Sequence, residues 1–427
     1  MRVLLIGSGG REHALAQILA RSPLLSALFI APGNPGTALF GTNIAIDAHD
    51  VSALVAFAQR QRIDLVIPGP EAPLVAGIAD ACAAVGLLCA GPTQAAARLE
   101  GSKSFAKDIC KIAGIPTASG QHFTDVDSAL HFIRHKEAPT PQTPLVIKAD
   151  GLAAGKGVVI TPTRAEAESV IRDMMTAGTL GQAGRSLVIE DYLEGEEVSL
   201  FAFCAGETAL LIGAAQDHKR LNNGDTGPNT GGMGAVSPPK GFDRAAQEAA
   251  LDITVRPMLR EMVRRGTPFC GVIFAGLMLT QNGPFLIEYN VRFGDPEAEA
   301  LLPRLTSDLL PALYALAQNK LDTIPLTFSH QASVCVVMAA QGYPASPQKG
   351  SLIHGLETAA SLPDVYIFQA GTARNTAGEL VTAGGRVLAV CALGDNVSEA
   401  QKRAYTAVKK IHWHGAHWRT DIGARTL

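Results

Sequence analysis

The sequence predicts an α/β protein in three parts: a doubly wound parallel sheet, a central α/β region, and a mixed β-rich region at the end. Over residues 1–102, short apolar runs alternate with helical stretches, which is the pattern of βα units. The stretch VIKADGLAAGKGVVI at 146–160 indicates a strand, a glycine-rich loop and a second strand. From residue 329 onward the clearest segments are strands, so we expect the last region to be β-rich.

Composition and charge limit the class of function. Hydrophobic residues make up 47% of the 427 residues and the formal net charge is −3, which argues against bulk binding of nucleic acid or acidic membranes. The start, MRVLLIGSGG, has too short an apolar run for a signal peptide, and no apolar run is long enough to span a bilayer. The seven cysteines are scattered without a C-x-x-C pair, which indicates reduced thiols in a cytoplasmic protein.

The first region is expected to bind a ligand at the carboxyl edge of its sheet. Predicted strands are 3–6, 29–31, 65–68 and 87–89, and predicted helices are 12–21, 51–62 and 73–85. The loop GSGGREHA follows the first strand, where such sheets bind ligands. Glu12 stands where the third glycine of a dinucleotide fingerprint belongs, so we reject NAD. Gly9 and Gly10, at the start of a helix, predict a monophosphate site instead.

Glu71 lies in the loop PGPEAP at 68–73, which follows another strand and faces the same predicted edge. Its carboxylate could hold a ribose hydroxyl or an amine of a ligand. It could equally be an acid at a helix N-terminus, where the helix dipole favours negative charge. The sequence leaves both interpretations open.

A helix and the glycine-rich loop together predict a polyphosphate site. Residues 101–113 are expected to form a helix capped by Ser102, with Lys103 in its first turn, where the dipole disfavours a cation. Free N–H groups of a glycine loop suit anions, and Lys148 and Lys156 add positive charge. The loop glycines are Gly151, Gly155 and Gly157. Their spacing matches neither a P-loop nor a kinase loop, and the alternative is a hairpin tip with solvated lysines.

The following strands predict a site for a nucleotide base. The expected elements are a helix at 165–177, a strand at 187–190 and two strands within 198–215. Extended backbone from Glu190 to Leu193 can offer N–H and C=O groups to a purine edge. Glu197, which opens the next strand, could accept from ribose hydroxyls. The alternative is an acidic run that is only solvated.

The longest segment without predicted regular structure is 216–239, QDHKRLNNGDTGPNTGGMGAVSPP. Long loops inside compact domains are usually functional or disordered. This one begins with Asp217, His218, Lys219 and Arg220. Because flexible linkers rarely begin with such residues, we expect a substrate loop rather than a linker.

Glu288 and Asn290 are candidate metal ligands. The strand expected at 285–290 places both on one face, together with Leu286. Two hard oxygen donors on one face suit Mg²⁺ that is completed by phosphate and water. The alternative is an exposed polar strand face, and Arg292 follows directly. Other elements expected here are a helix at 243–265 with a possible kink at Pro257, a strand at 272–279, and a helix from Pro296 to about 318 capped by Asp295.

The last region carries no predicted catalytic constellation. Expected strands are 333–340, 365–369 and 386–392, followed by a helix at 399–411. His412, His414 and His417 lie in the tail after that helix. Their spacing lacks an acidic partner, so we expect packing or solvent exposure rather than a metal site.

A series of motifs runs in order through nearly the whole chain. They are IGSGGREHA, GPEAPL, LEGSK, IKADGLAAGKGV, QDHKR, TGPNTGGMGA, EYNVRFGDPE, VVMAAQGYP, HGL, GGRVLAV and QKRAY. Single motifs such as IEYN occur in many ATP-grasp enzymes, but this combination resembles the phosphoribosylamine–glycine ligase family. Departures are small: TPQTP before Lys148 looks like an insertion, and Asp191 and Tyr289 stand where Glu and Phe are expected.

The resemblance implies a fold and a reaction. The fold would be an N-terminal substrate domain at 1–102, an ATP-grasp domain at 103–328 with a mobile lid at about 118–193, and a C-terminal domain at 329–427. The reaction would join glycine to 5-phosphoribosylamine with ATP, through glycyl phosphate, giving ADP, phosphate and glycinamide ribonucleotide in purine synthesis. The cofactors would be ATP and Mg²⁺ or Mn²⁺. We expect a cytoplasmic monomer that contacts neither nucleic acid nor membrane.

The resemblance also implies roles for the candidate residues. The ATP phosphates would be held by Lys103, Lys148 and the loop 151–157, adenine by Glu190 and Leu193, its ribose by Glu197, and the metal by Glu288 and Asn290. Phosphoribosylamine would bind at Gly9, Gly10 and Glu71, and Arg292, Asp217 and Lys219 would be the catalytic residues. Arg292 would stabilise the transferring phosphate or the glycine carboxylate.

Two other functions remain open at the level of sequence. One is a different ATP-grasp ligase, such as one that carboxylates a purine intermediate. The other is a nucleotide sensor without turnover. The joint presence of Lys103, Lys148, Glu288 and Asn290 argues against a sensor.

Overall fold

The computed structural model describes residues 1–136, 143–153, 157–178, 180–321 and 325–424. Gly155, Lys156 and part of the TPQTP insertion therefore lie outside the described residues. All seven cysteines are free thiols, as the sequence predicts. Within the described part of the chain, no helix has both the length and the apolarity needed to cross a bilayer.

The N-terminal region is a doubly wound parallel sheet, as predicted. It consists of β1 (Arg2–Gly7), α1 (Gly10–Leu19), β2 (Ala27–Pro32), β3 (Thr42–Asn43), α2 (Val51–Arg60), β4 (Leu65–Pro68), α3 (Glu71–Val75), α4 (Ile78–Ala83), β5 (Leu88–Cys89) and α5 (Gln94–Gly101). All strand pairs are parallel, in the order β3–β2–β1–β4–β5. The helix predicted at 73–85 is two short helices, because Gly77 adopts a left-handed φ of 88° between them.

A small antiparallel sheet carries the glycine-rich loop. Its elements, with the helix that leads into it, are α6 (Lys103–Ala113), β6 (Gly120–Phe123), α7 (Val126–His135), β7 (Leu145–Ala149), β8 (Val158–Thr161), α8 (Arg164–Met175) and β9 (Leu187–Asp191). The strand order is β6–β9–β7–β8. As predicted, β7 and β8 form an antiparallel pair on either side of the loop. Ile133 of α7 and Ile171 of α8 pack against Ile147 and Ile189 of the sheet.

The central and C-terminal regions share one eight-stranded antiparallel sheet. The central elements are β10 (Glu196–Ala205), β11 (Thr208–Asp217), β12 (Arg220–Asn222), β13 (Thr226–Asn229), β14 (Gly234–Ser237), α9 (Arg244–Thr254), α10 (Arg256–Arg264), β15 (Cys270–Thr280), β16 (Gly283–Asn290), α11 (Glu297–Leu301) and α12 (Leu309–Ala317). The C-terminal elements are β17 (Ala332–Ala339), α13 (Leu356–Ala360), β18 (Val365–Gln369), β19 (Thr372–Arg374), β20 (Leu380–Thr382), β21 (Arg386–Gly394) and α14 (Val397–Val408). The order is β16–β15–β10–β11–β14–β17–β21–β18. Strand β14 joins the two halves, because it pairs with β11 on one side and β17 on the other.

The segment 216–239 is more regular than the sequence predicts. It contains the hairpin β12–β13 as well as strand β14. These strands are only three or four residues long and rich in Gly, Asn and Thr. Such short strands carry too few alternating apolar residues to be recognised from sequence.

Two predicted helices are interrupted. The helix predicted at 243–265 is α9 and α10, which meet at Val255, with Pro257 in the first turn of the second helix. The helix predicted from Pro296 to 318 is α11 and α12, and the second begins after its own cap, Asp308. Asp295 does not act as the predicted cap, because the residue at that position is Pro296.

The histidines of the C-terminal tail are exposed or half-buried: His412 and His414 are exposed, and His417 is half-buried. The ring of His412 stacks on that of His354 with centroids 5.3 Å apart. Nε2 of His417 lies 3.1 Å from the carbonyl oxygen of Leu221. Among the described residues, no cluster of three His, Cys, Asp or Glu side chains has the arrangement of a metal site.

Candidate active site

Glu190 lies between two lysines where the four-stranded sheet meets helix α6. Its Oε2 is 2.7 Å from Nζ of Lys148, and its Oε1 is 2.6 Å from Nζ of Lys107. Glu190 and Lys148 are almost fully buried, at 4% and 3% exposure. Strands β7 and β9 pair so that Val146 lies opposite Glu190. Lys148 is two residues after Val146 on the same face of β7, and its side chain therefore reaches the Glu190 carboxylate. The Glu190 side chain therefore fixes the position of Lys148.

A β-bulge in β16 links this sheet to the eight-stranded sheet. Gly276 pairs with Glu288 and Leu277 pairs with Leu286, so Ile287 is the extra residue. The Ile287 carbonyl accepts a hydrogen bond of 3.0 Å from Nζ of Lys148. The bulge also corrects a sequence prediction: Leu286 packs in the same core cluster as Tyr289 and does not share the face of Glu288 and Asn290.

Glu288 is a half-buried carboxylate surrounded by positive charge. Burial by itself would raise its pKa. Three ammonium groups more than offset this effect, those of Lys219, Lys148 and Lys103, so the pKa lies below its ordinary value. Lys148 belongs to β7, Lys103 to α6, and Lys219 to the segment between β11 and β12, so three separate parts of the fold converge on this carboxylate. Glu288 is therefore ionised at neutral pH.

Asn290 completes the polar face of β16. It is 7% exposed, its amide lies beside Glu288, and its Oδ1 is 3.4 Å from Nη2 of Arg292. Its Nδ2 is buried and meets no hydrogen-bond partner within the described ranges. The amide oxygen of Asn290 and the ionised carboxylate of Glu288 are hard oxygen donors on one strand face, and such donors fit a hard divalent cation whose remaining ligands are phosphate and water. The donor chemistry thus agrees with the predicted metal site.

Lys103 points from helix α6 to the start of the glycine-rich loop. Its Nζ donates a hydrogen bond of 3.1 Å to the carbonyl of Gly151. Burial lowers the pKa of Lys103, and the nearby Glu288 opposes that shift. Asp150 fixes the same corner, because its carboxylate accepts from the backbone N–H of Ser104 at 3.2 Å. The predicted cap, Ser102, is confirmed by its bond to the N–H of Phe105.

The first part of the predicted substrate loop makes an ion pair with β10, through Lys219, which lies just after the end of β11. Nζ of Lys219 bonds to Oε1 of Glu197. Burial would lower the pKa of Lys219, but its acidic neighbours, Glu197 first among them, raise it above the ordinary value. The pKa of Asp217 is raised strongly, first by burial and then by Glu297. Gly232 leaves room for Asp217, because a Cβ at residue 232 would lie 2.6 Å from its Oδ1.

Arg292 connects the N-terminal region to the strand that carries the candidate metal ligands. Its Nε lies 3.1 Å from Oε2 of Glu71, and its Nη2 lies 2.9 Å from Oε1 of Glu100. Burial opposes ionisation of the pair, but Arg292 lowers the pKa of Glu71 below its ordinary value. Burial raises the pKa of Glu100. Glu71 is the first residue of α3, which agrees with the interpretation of a helix-end acid. Its role in binding a ligand stays a prediction.

The Gly9–Gly10 corner is already occupied by carboxylates. The N–H of Gly9 donates to Oε2 of Glu12 at 2.6 Å. A Cβ at residue 10 would lie 2.3 Å from Oε1 of Glu299, and the N–H of Arg11 is 3.4 Å from Oδ2 of Asp295. The Gly9 N–H is therefore not free for a monophosphate, and binding of a phosphate at this corner stays a prediction.

The structure adds six charged residues that the sequence did not single out for a site. They are Arg11, Glu100, Lys107, Asp295, Glu299 and Arg386. Two carried a usable signal: Lys107 lies one helical turn after Lys103, and Glu100 stands in the motif LEGSK. Arg11 and Arg386 also contact residues that are distant in sequence, Phe293 and Asp295, which no local pattern reveals.

Family models match the chain in three consecutive blocks. They are the N domain of phosphoribosylglycinamide synthetase at residues 1–100, its ATP-grasp (A) domain at 101–298, and its C domain at 333–425. Proteins with the fold of this chain include a biotin carboxylase from Campylobacter jejuni, with a TM-score of 0.73 over 99% of this chain and 94% of that one. Its identity is 13%, so it supports the fold alone.

Full-length relatives are much more similar. Phosphoribosylamine–glycine ligases from Caulobacter vibrioides and Agrobacterium fabrum are each 50% identical, over 100% of this chain and 99% of theirs. The crystal structure of the phosphoribosylamine–glycine ligase from Thermotoga maritima is 31% identical, with a TM-score of 0.85 over 99% of this chain and all of that one. On these matches, and with its three domain blocks in order, the chain belongs to the phosphoribosylamine–glycine ligase family.

Proposed function

We propose that the chain joins glycine to 5-phosphoribosylamine at the expense of ATP, releasing ADP and phosphate and forming glycinamide ribonucleotide for purine biosynthesis. Membership of the ligase family supports the overall reaction. The observation that carries the site assignment is the half-buried carboxylate of Glu288 among Lys103, Lys148 and Lys219. Three ammonium groups around one metal-type ligand suit a triphosphate with its cation.

The ATP site is assigned to the junction of the two sheets. Lys103 and Lys148 would contact phosphate oxygens, and the loop 151–157 would cover them, although Gly155 and Lys156 lie outside the described residues. Gly151 and Gly157 allow close packing of the backbone. A Cβ at residue 151 would lie 2.9 Å from the Cβ of Ala183, and one at residue 157 would lie 2.6 Å from the Cβ of Ala153. The role of residues 118–193 as a lid is part of this proposal.

Adenine would be held by backbone groups after β9. Glu190 ends up with its side chain between two lysines, so its part in adenine binding would be through the backbone. Leu193 is half-buried and follows the end of β9, where its backbone groups could pair with a purine edge. Glu197 is 38% exposed at its side chain, which leaves it able to accept from ribose hydroxyls.

Glu288 and Asn290 would hold a divalent cation, and their oxygen chemistry suits both Mg²⁺ and Mn²⁺. When bound, such a cation neutralises phosphate charge and orients the γ-phosphate. The chain's own contribution is to keep Glu288 ionised through its lysines and to keep Asn290 in register by the bulge at Ile287. We propose Mg²⁺ as the physiological ion because of its abundance with ATP.

The chemical step follows from the poor reactivity of a carboxylate. The glycine carboxylate attacks the γ-phosphate, giving glycyl phosphate and ADP, and the amine of phosphoribosylamine then displaces phosphate. Arg292, which pairs with Glu71 and Glu100, would balance charge on the glycine carboxylate or the transferring phosphoryl group. Lys219 and Asp217 would line the same side, and positioning rather than covalent chemistry would supply most of the rate.

A substrate-omission assay tests this function. ADP release is measured with ATP and the metal, leaving out glycine or phosphoribosylamine in turn, and the product is identified by mass. We expect stoichiometric glycinamide ribonucleotide only when all three substrates are present. Bicarbonate replacing glycine would support a carboxylating ligase, and ATP binding without any turnover would support a sensor.

A further inference from the structure

We propose that the carboxyl pair Asp295–Glu299, which lies against the Gly9–Gly10 backbone, receives the amine of phosphoribosylamine, and that Asp295 takes the proton that this amine loses on attack. This inference rests on the proposed function. The pair was not predicted from sequence, where Asp295 was only a helix cap. It lies where the three regions of the chain meet.

The geometry of the corner comes from three directions. Gly9 and Gly10 belong to the N-terminal region, and a Cβ at residue 9 would lie 3.1 Å from Oδ2 of Asp295. Oδ1 of Asp295 is 3.0 Å from Nη2 of Arg386, which belongs to the C-terminal strand β21. The Asp295 side chain is 17% exposed, so a ligand can reach it. Glu299 is 1% exposed and lies behind it.

The two carboxyl groups lie against adjacent glycines. A Cβ at residue 9 would lie 3.1 Å from Oδ2 of Asp295, and one at residue 10 would lie 2.3 Å from Oε1 of Glu299. Oε2 of Glu299 is buried and meets no donor in the part of the chain that the structure describes. Two neighbouring ionised carboxylates would repel each other. Burial and Asp295 raise the pKa of Glu299 well above its ordinary value. Burial opposes ionisation of Asp295, but Arg386 and Arg11 lower its pKa, so Glu299 is the protonated partner.

An amine fits this corner better than an anion. The N-terminus of α1 is surrounded by Glu12, Asp295 and Glu299, and its exposed acceptor is the ionised Asp295. The N–H groups of Gly9 and Arg11 at the start of this helix already meet carboxylate oxygens, so these donors are not free for a phosphate. A primary amine instead supplies N–H donors to the free lone pairs of a carboxylate. The amine end of phosphoribosylamine is the substrate group with that chemistry.

The proton has a defined route in the coupling step. The amine nitrogen attacks the carbonyl carbon of glycyl phosphate and forms the C–N bond. The C–O bond to phosphate breaks, and phosphate leaves with the electron pair. One N–H proton then moves to Asp295, while Glu299 keeps its own proton. The groups facing Asp295 are Arg11 of α1, Glu299 of α11 and Arg386 of β21.

The test compares Asp295→Asn with Asp364→Asn in the full-length enzyme. Asp364 pairs with Arg403 in the C-terminal region at 2.8 Å, so the control also removes an aspartate charge from an arginine. Each variant is supplied with ATP, Mg²⁺ and glycine. The acceptor is either phosphoribosylamine, generated from ribose 5-phosphate and ammonia, or hydroxylamine, which captures glycyl phosphate as glycyl hydroxamate.

We expect D295N to lower kcat with phosphoribosylamine by about 100-fold or more, the usual contribution of a general base. Its hydroxamate formation and KM for ATP should stay within about threefold of wild type, and D364N should match wild type in both reactions. E299Q, which keeps a hydrogen-bond donor to Asp295, should retain coupling within about tenfold.

Two results would overturn the inference: coupling by D295N within threefold of wild type, or equal loss of coupling and hydroxamate formation. The second would mean that Asp295 only holds Arg386 and helix α1 in place. If D295N does not fold, E299Q replaces it in this test, and loss of both coupling and hydroxamate formation in E299Q would also overturn the inference. Wild-type enzyme that forms hydroxamate but no product with phosphoribosylamine would instead contradict the proposed function.

Discussion

Nζ of Lys148 in the four-stranded sheet donates to the carbonyl of Ile287 in the eight-stranded sheet at 3.0 Å. That carbonyl is available because Ile287 is the extra residue of a bulge. The bulge thus has two effects: it turns Glu288 and Asn290 toward the lysines, and it attaches the strand of the glycine-rich loop to the strand of the metal ligands.

The substitution Glu288→Gln tests the metal site. We expect a loss of at least about 100-fold in kcat and a higher Mg²⁺ requirement, because the amide keeps the shape but not the charge that a hard cation needs. The three lysines would also lose their common counter-charge. Steady-state assays over a Mg²⁺ series give the measurement. Glu207→Gln, at an exposed turn, is the control, and wild-type activity of E288Q at the same Mg²⁺ concentration would exclude the assignment.

The substitution Glu71→Ala tests the link between the N-terminal region and Arg292. Glu71 makes a hydrogen bond to a charged group, whose loss costs about 1.5–3 kcal/mol, or roughly one to two decades in kcat/KM for phosphoribosylamine. Glu100 still holds Arg292, so the KM for ATP should change little. An equal rise in the KM for ATP would show that Glu71 acts only through the general position of Arg292.

Sequence reasoning succeeded where the signal is local. The parallel sheet, the strands around the glycine-rich loop and the Ser102 cap all follow from patterns within a few residues. It failed where the partner is distant: Arg292 pairs with Glu100, and Asp295 with Arg386, only because the fold brings separate regions together. The bulge at Ile287 was hidden for another reason, since an extra residue breaks the alternation on which face assignments rest.

Tyr289 allows stability to be separated from chemistry. Its ring is buried, and its hydroxyl donates to the carbonyl of Thr254, at the end of α9. Tyr289→Phe should lower the free energy of unfolding by about 1–2 kcal/mol, because it leaves a buried carbonyl without a donor. The neighbours Glu288 and Asn290 face the other way, so kcat should remain within about twofold. Denaturant unfolding and steady-state kinetics on the same preparation check both values, and a large fall in kcat would couple this core contact to the metal site.

His13 predicts how stability depends on pH. It is 3% exposed, its Nδ1 accepts from the N–H of Gln369 at 2.7 Å, and burial lowers its pKa from 6.5 to about 4. Between about pH 6.5 and 4, the unfolded chain therefore binds a proton at His13 that the folded protein does not bind. The neutral ring thus contributes to the free energy of unfolding, and this contribution is complete above pH 6.5 and is lost as the pH falls toward 4. Its size is about 3 kcal/mol.

The substitution His13→Asn isolates that contribution. Asparagine can offer an acceptor to Gln369 but does not titrate. At pH 7.5 the variant should have a lower free energy of unfolding than wild type, because its side chain is smaller. Between pH 7.5 and 4.5 its free energy of unfolding should fall less than that of wild type. Urea unfolding at intervals between these values measures the slope of the free energy against pH. The slope of the unfolding free energy against pH reports how many more protons the unfolded chain binds than the folded protein. We expect this number to be larger for wild type than for the variant, by up to one proton. His49, whose side chain is exposed, provides the control as His49→Asn, because this substitution also removes a histidine but leaves the contact between α1 and β18 intact. Equal slopes for wild type and H13N would mean that His13 is protonated in the fold, and that the contact between α1 and β18 does not depend on a neutral ring.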